Sequence, residues 1–221
     1  MSGPLVLVGG GEWREGCTFD RGLLADAGNP EVVVLPTAAA FEHPERAVAT
    51  AEAYFAGFDG RVRGLMILHR AEAEDPANAE IVRASRFLYL AGGSPMHLRS
   101  VLKDSPVWGA LVAAWHDGAV LAGSSAGAMV LCDPMVDPRG GAFTVGLGLL
   151  AQMAFIPHHD TWSPEKARRT IDLAAPGLPV VAVDEQTALI RRPEGSWAVE
   201  GAGKAVVFVD GHEAGLEALP R

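Results

Sequence analysis

Gly123-Ser124-Ser125-Ala126-Gly127 sets a serine between two glycines, directly after the apolar run Ala119-Val-Leu-Ala122 and before Ala128–Leu131. That order predicts a buried strand, a sharp turn and a helix start with Ser125 at the apex. Glycines two positions either side of the serine let neighbouring backbone pass close to a strained turn. The helix start offers free backbone N–H groups to a developing oxyanion. The competing reading is a glycine-rich turn without chemistry. A serine nucleophile also needs a base within hydrogen-bond reach and an acid to orient that base.

Seven histidines are available as the base. His43 stands in a loop by a helix start, His212 lies in the tail, and His69 and His116 follow apolar runs as edge residues. His97 is close enough to Gly92-Gly93 to line a pocket. His158 and His159 directly follow the apolar strand Ala154-Phe-Ile156 and are the stronger candidates. Adjacent residues at a strand end point to opposite sides, so only one of them can face Ser125. His158-His159-Asp160 could also be read as a metal site, but it lacks the i, i+4 histidine pair that zinc enzymes place on a helix. For the acid, Asp184-Glu185 stands at the mouth of the buried run Val180–Val183, with a solvated turn as its alternative. Asp133 and Asp137 are runners-up in a loop rich in proline, aspartate and glycine.

The elements that must position these residues alternate. Leu5–Val8, Val32–Leu35, Leu65–Leu68, Phe87–Leu90 and Val120 onward read as short buried strands. Between them, Val48, Ala51, Phe55 and Phe58 recur at helical spacing, Asn78–Ala84 forms a short helix, and Leu98, Val101 and Leu102 share a helix face. Val107, Leu111 and Ala114 mark another helix. Such alternation implies a mostly parallel central sheet with helices on both faces, an α/β fold. In such sheets ligands sit beyond the carboxyl ends of the strands. The Gly9-Gly10-Gly11 loop, the Gly92-Gly93 loop and Ser125 all fall there. The first loop is not a dinucleotide fingerprint, because Arg14 stands where its third glycine would be. Further on, Ser163-Pro164-Glu165 starts a helix, Thr187–Arg191 and Trp197–Val199 form a C-terminal hairpin, and Val206–Val209 is the expected last strand.

Composition narrows the function. The 221 residues, 49% hydrophobic and 20% charged, suit a single α/β domain over 1–221. A net charge of −9 speaks against nucleic acid as a partner. No secretion signal or membrane span is visible, and Cys17 and Cys132 read as unpaired thiols in a reducing cytoplasm. No metal or other cofactor is expected, and the chain is expected as a monomer or homodimer.

Gly9-Gly-Gly-Glu12, Gly92-Gly93, Gly123-Ser-Ser-Ala-Gly-Ala128, Gly146-Leu-Gly-Leu-Leu150, His158 and Asp184-Glu185-x-Thr-Ala-Leu189 follow one another along nearly the whole chain. Together they resemble the serine peptidase family of aspartyl dipeptidase (dipeptidase E) and cyanophycinase. The resemblance implies a fold akin to class I glutamine amidotransferases, with Ser125 as nucleophile, His158 as base and Glu185 as orienting acid. It also implies an oxyanion hole from the N–H groups of Gly93 and Ala126. A glutamine amidotransferase would carry cysteine at the elbow. Cyanophycinases carry Gly-Gly-Asp-Gln and Asp-Gln where this chain has Gly92-Gly93-Ser94-Pro95 and Ile156-Pro157, so cyanophycin is a poor substrate. Pro157-His158 is closer to the dipeptidase branch, and Arg168 and Arg169 fall near that branch's carboxylate-binding arginine. Gly92, Ser94 and His159 join the arginines as candidate substrate-binding residues. The expectation is a serine hydrolase acting on a small peptide or amide through an acyl-enzyme. The alternatives are an esterase using the same serine and a small-molecule-binding member without peptidase activity.

Overall fold

The computed structural model describes residues 1–220. Its central sheet has seven strands, in the order Trp197–Gly201, Thr187–Arg191, Leu5–Val8, Val120–Ser124, Phe87–Leu90, Glu31–Leu35 and Arg61–Gly64. The last five are parallel, and the C-terminal hairpin adds the first two antiparallel at one edge. This is the α/β architecture expected from the strand and helix alternation.

The strands read as continuous apolar runs because both faces of the sheet are covered. Leu5, Leu7, Leu88, Leu90 and Leu121 face one core, and Val6, Val8, Phe87, Tyr89, Val120 and Ala122 face the other. Helices Phe19–Ala27 and Pro44–Ala56 cover the second face. Helices Pro76–Ala84, Pro95–Leu102, Pro106–His116 and Ala126–Leu131 cover the first. Four helices open alike, with proline at the first position behind Asp75, Ser94, Ser105 or Ser163, whose side chain accepts a first-turn N–H. Proline lacks an N–H that would be orphaned there in any case, and the cap satisfies another. Among the described residues no helix is long and apolar enough to cross a membrane.

A second sheet packs into the first core. In it Ala154–Ile156 runs parallel to Val180–Val183, followed by antiparallel Ala205–Val209 and His212–Ala214. Val206–Val209 is therefore not the last strand: exposed His212–Ala214 pairs beyond it.

Three other expectations need correction. The third strand is Arg61–Gly64, not Leu65–Leu68. It lies at the sheet edge, where one side of the strand meets water, so Arg61 and Arg63 are exposed and the apolar pattern is lost. Leu65 and Ile67 instead bury themselves as irregular chain after it. Phe58 lies past the end of its helix, which stops at Ala56, yet its ring still packs on Phe55 at 5.3 Å. Within the loop expected at 133–141, Met135–Val136 pairs with Phe143–Thr144.

Helix Phe19–Ala27 has no counterpart in the sequence reading, and Asp20 is the reason. This carboxylate is fully buried on the side of the helix that also buries Leu23, Leu24 and Ala27, and neither oxygen has a hydrogen-bond partner among the described residues. Burial pushes its pKa well above the usual carboxylate range. The Glu12 charge adds to the rise, and the nearby Tyr54 hydroxyl offsets only part of it. The folded chain therefore holds a proton that the unfolded chain gives up near pH 4, so stability falls as pH rises above that value. Asp20→Asn should raise the urea midpoint at pH 8 more than at pH 4; an equal shift at both would assign the effect to packing.

Candidate active site

Strand Val120–Ser124 ends at Ser125, and helix Ala126–Leu131 begins directly after it. Ser125 has φ 48° and ψ −107°, a conformation that side chains rarely adopt and that costs about 1–3 kcal/mol. Its N–H is tied to Val8 O at 2.9 Å. The flanking glycines are required by contact. A Cβ on Gly123 would lie 2.5 Å from the carbonyl of Gly127, and one on Gly127 would lie 2.3 Å from Leu90 O.

The candidate base and acid come from the second sheet. Ala154–Ile156 delivers His158 and Val180–Val183 delivers Glu185. His158 Nε2 lies 2.8 Å from Ser125 Oγ, and its Nδ1 lies 2.8 Å from Glu185 Oε1. The three side chains form one hydrogen-bonded line between the two sheets. Both His158 and Glu185 are partly buried, at 30% and 26% side-chain exposure, so the pair is shielded yet reachable.

The Gly9-Gly10-Gly11 loop is the cradle for that line. Gly9 O accepts the His158 N–H, and Gly10 O accepts the Gln186 N–H, each at 2.7 Å. A Cβ on Gly10, which has φ 120°, would lie 2.2 Å from the His158 ring, and one on Gly11 would lie 3.1 Å from Glu185 Oε2. On the other side of Ser125, the loop after Phe87–Leu90 is pinned almost residue by residue. Ala91 N–H donates to Leu35 O, Gly92 N–H to Glu12 Oε1 and Ser94 N–H to Ala38 O. Gly93 N–H has no acceptor among the described residues, and neither does that of Ala126. A fully buried residue such as Ala126 rarely leaves its amide unpaired.

The remaining candidates have other partners. His159 turns from Ser125, its Nδ1 3.4 Å from Asp184 Oδ1, which is an ion-pair distance without hydrogen-bond geometry. Asp160 Oδ1 accepts the Glu185 N–H, so His158, His159 and Asp160 each serve a different contact and do not converge as ligands. Asp133 accepts from Gly146 N–H. Asp137 is bound by Arg139, whose guanidinium and backbone N–H hold its pKa down at about 2. Neither reaches an imidazole. Ser94 caps helix Pro95–Leu102, and His97 Nε2 is held by Leu68 O at 2.8 Å. Arg168 pairs with Asp172 on an exposed helix face, and Arg169 lies along Gly141. No contact among the described residues links either arginine to Ser125.

Three residues here escaped the sequence reading in their contacts. Asp160 and Gln186 hold the acid loop, Gln186 also accepting the Gly16 N–H. Glu12 bridges two loops through Gly92 N–H at 3.0 Å and Ser124 Oγ at 2.7 Å. Its one local signal is an acid immediately after three glycines at a strand end.

Sheet layout, strained serine turn and family signature define a serine-type peptidase. The chain belongs to peptidase family S51, whose model matches residues 5–196. Among solved structures it is similar to a peptidase from an acI-B1 Actinobacterium, 29% identical, with a TM-score of 0.86 over 97% of this chain and 93% of the other. It also shares its fold with a putative peptidase E protein from Listeria monocytogenes EGD-e, 16% identical, with a TM-score of 0.67 over 92% of this chain and 100% of the other.

The cradle generates a test independent of substrate. Gly10→Ala should push the His158 ring off Ser125 and Glu185. The low-field imidazole N–H proton resonance expected of a histidine bonded to a carboxylate should then disappear from the NMR spectrum. Persistence of that resonance in a folded Gly10→Ala protein would show that the ring tolerates the methyl group.

Proposed function

We propose that the chain hydrolyses a small peptide, in the manner of a dipeptidase, through an acyl-enzyme on Ser125. The observation that carries this reading is the line Ser125–His158–Glu185, with its two 2.8 Å hydrogen bonds. Ser125 Oγ attacks the scissile carbonyl carbon while His158 Nε2 takes its proton. Glu185 accepts the Nδ1–H, fixes the tautomer and stabilises the imidazolium. The unpaired N–H groups of Gly93 and Ala126 receive the oxyanion. Collapse breaks the C–N bond, and His158 returns the proton to the leaving amine. Water, deprotonated by His158, then attacks the ester and frees Ser125.

A dipeptide-sized substrate is supported by the likeness of Pro157-His158 to the dipeptidase branch. Gly92-Gly93-Ser94-Pro95 and Ile156-Pro157 lack the polar groups that a β-aspartyl-arginine unit would use. Arg168 has no role in this mechanism: it stands on an exposed helix face, its Nε paired with Asp172.

A library of dipeptides and 4-nitrophenyl esters tests the reading. Ser125→Ala should lower kcat about 10⁴-fold or more on whichever substrate the wild type cleaves, with unchanged thermal unfolding. Retained turnover in that variant would remove Ser125 as nucleophile. Turnover of esters alone would make the chain an esterase. Dialysis against a chelator should leave the rate unchanged, because His158, His159 and Asp160 are each engaged elsewhere; loss of rate restored by zinc would replace the serine mechanism.

A further inference from the structure

The Glu12 carboxylate is used by nothing in the mechanism above, yet it sits behind the nucleophile. It follows the Gly9-Gly10-Gly11 cradle and spans two loops that are distant in sequence. Oε1 accepts the Gly92 N–H at 3.0 Å, and Oε2 accepts the Ser124 hydroxyl at 2.7 Å. Ser124 is fully buried and immediately precedes Ser125. A Cβ on Gly92 would lie 3.6 Å from Ser125 Cβ and 3.1 Å from Glu12 Oε1, so Gly92 lies beside both.

Gly92-Gly93 is the most freely rotating dipeptide a chain can place beside a nucleophile. Gly93 takes φ 136°, and a Cβ there would collide with Ala38 O at 2.3 Å. Left unpinned, such a segment would point its N–H groups in many directions. Ser94 N–H is fixed to Ala38 O on one side, and the Gly92 N–H is fixed to Glu12 on the other. The peptide between them carries the unpaired Gly93 N–H. Two donors arrive from separate loops, and a carboxylate offers one oxygen to each.

We infer that Glu12 is a positioning residue that locks the Gly92-Gly93 loop to the Ser124-Ser125 elbow, so that the Gly93 N–H is aimed at the oxyanion before substrate arrives. The inference rests on Ser125 as nucleophile and Gly93 as oxyanion donor. Its effect falls on the transition state rather than on ground-state binding, since the Gly93 N–H is strongly engaged only when negative charge develops on the attacked oxygen.

A fluorophosphonate probe reads this without a known substrate. Ser125 Oγ forms the P–O bond, the P–F bond breaks, fluoride leaves, and the serine proton passes to His158. Glu12→Ala and Glu12→Met both remove the acceptors, and methionine keeps the bulk. Each should lower kinact about 10²-fold, the scale for losing one oxyanion donor, while KI stays unchanged. Glu12→Gln should recover most of the rate, because its amide oxygen still accepts from Gly92 and its NH₂ can donate to Ser124 Oγ. Wild-type kinact in a folded Glu12→Ala or Glu12→Met protein would overturn the inference. So would a Glu12→Gln rate as low as that of Glu12→Ala, a rise in KI that accounts for the loss, or failure of both acceptor-free variants to fold. Labelling that persists in Ser125→Ala would instead defeat the nucleophile reading. Labelling of wild type at Ser125, together with wild-type rates in the Glu12 variants, would defeat this inference alone.

Discussion

The face of the His158 imidazole rests on the backbone of Gly10, with no room between them for a single methyl group. The rest of the site depends on that contact. It fixes the ring plane from below, while the Gly9 carbonyl holds the His158 N–H and the Gly10 carbonyl holds the chain beside Glu185. A hydrogen bond aligns two atoms, but it leaves an imidazole free to tilt about the bond. Packing of the ring face against backbone removes that freedom, because protein interiors resist small displacements. The glycines after the first strand therefore do steric work that in a dinucleotide fold would serve a phosphate.

Three of the nine non-glycine residues with positive φ among the described residues lie at the candidate site. Ser125, His158 and Gln186 all have positive φ, at 48°, 52° and 55°. Such backbone persists only when its surroundings over-determine it. Here the surroundings are two apolar cores on opposite faces of one sheet, together with acceptors that pin most of the N–H groups along the loops. Within that accounting the amides of Gly93 and Ala126 stand out as unpaired. Substitutions that relaxed the turn would gain stability and lose the geometry.

Much of this was legible in the residues. Runs such as Val32–Leu35 and Phe87–Leu90 are apolar throughout because both faces are buried, and the serine turn announces itself through glycines that contact requires. Arg61–Gly64 was illegible because an edge strand carries no such run. Helix Phe19–Ala27 was hidden by a buried aspartate at a position where periodicity demands an apolar residue. Local pattern could not choose between His158 and His159, since neighbours at a strand end have identical contexts. Only the family resemblance preferred one, and the geometry brings that one to Ser125. Glu12 stands in the Gly9-Gly-Gly-Glu12 motif, but its contacts were beyond reach: its partners lie 80 and 112 residues away, and nothing in a short window records a contact of that span.

The hydrogen bond between Ser125 and His158 joins two separately hydrogen-bonded sheets, and that gives the molecule an unusual point of vulnerability. Folded proteins open in cooperative pieces whose free energies differ, and a four-stranded sheet ending in an exposed strand is a natural piece. An excursion that loosens it would separate His158 from Ser125. The activity proposed for that pair would then depend on both sheets staying in register with each other. Heat inactivation could then run ahead of global melting, and a partner or ligand that bridged the sheets would lengthen working life without touching the chemistry.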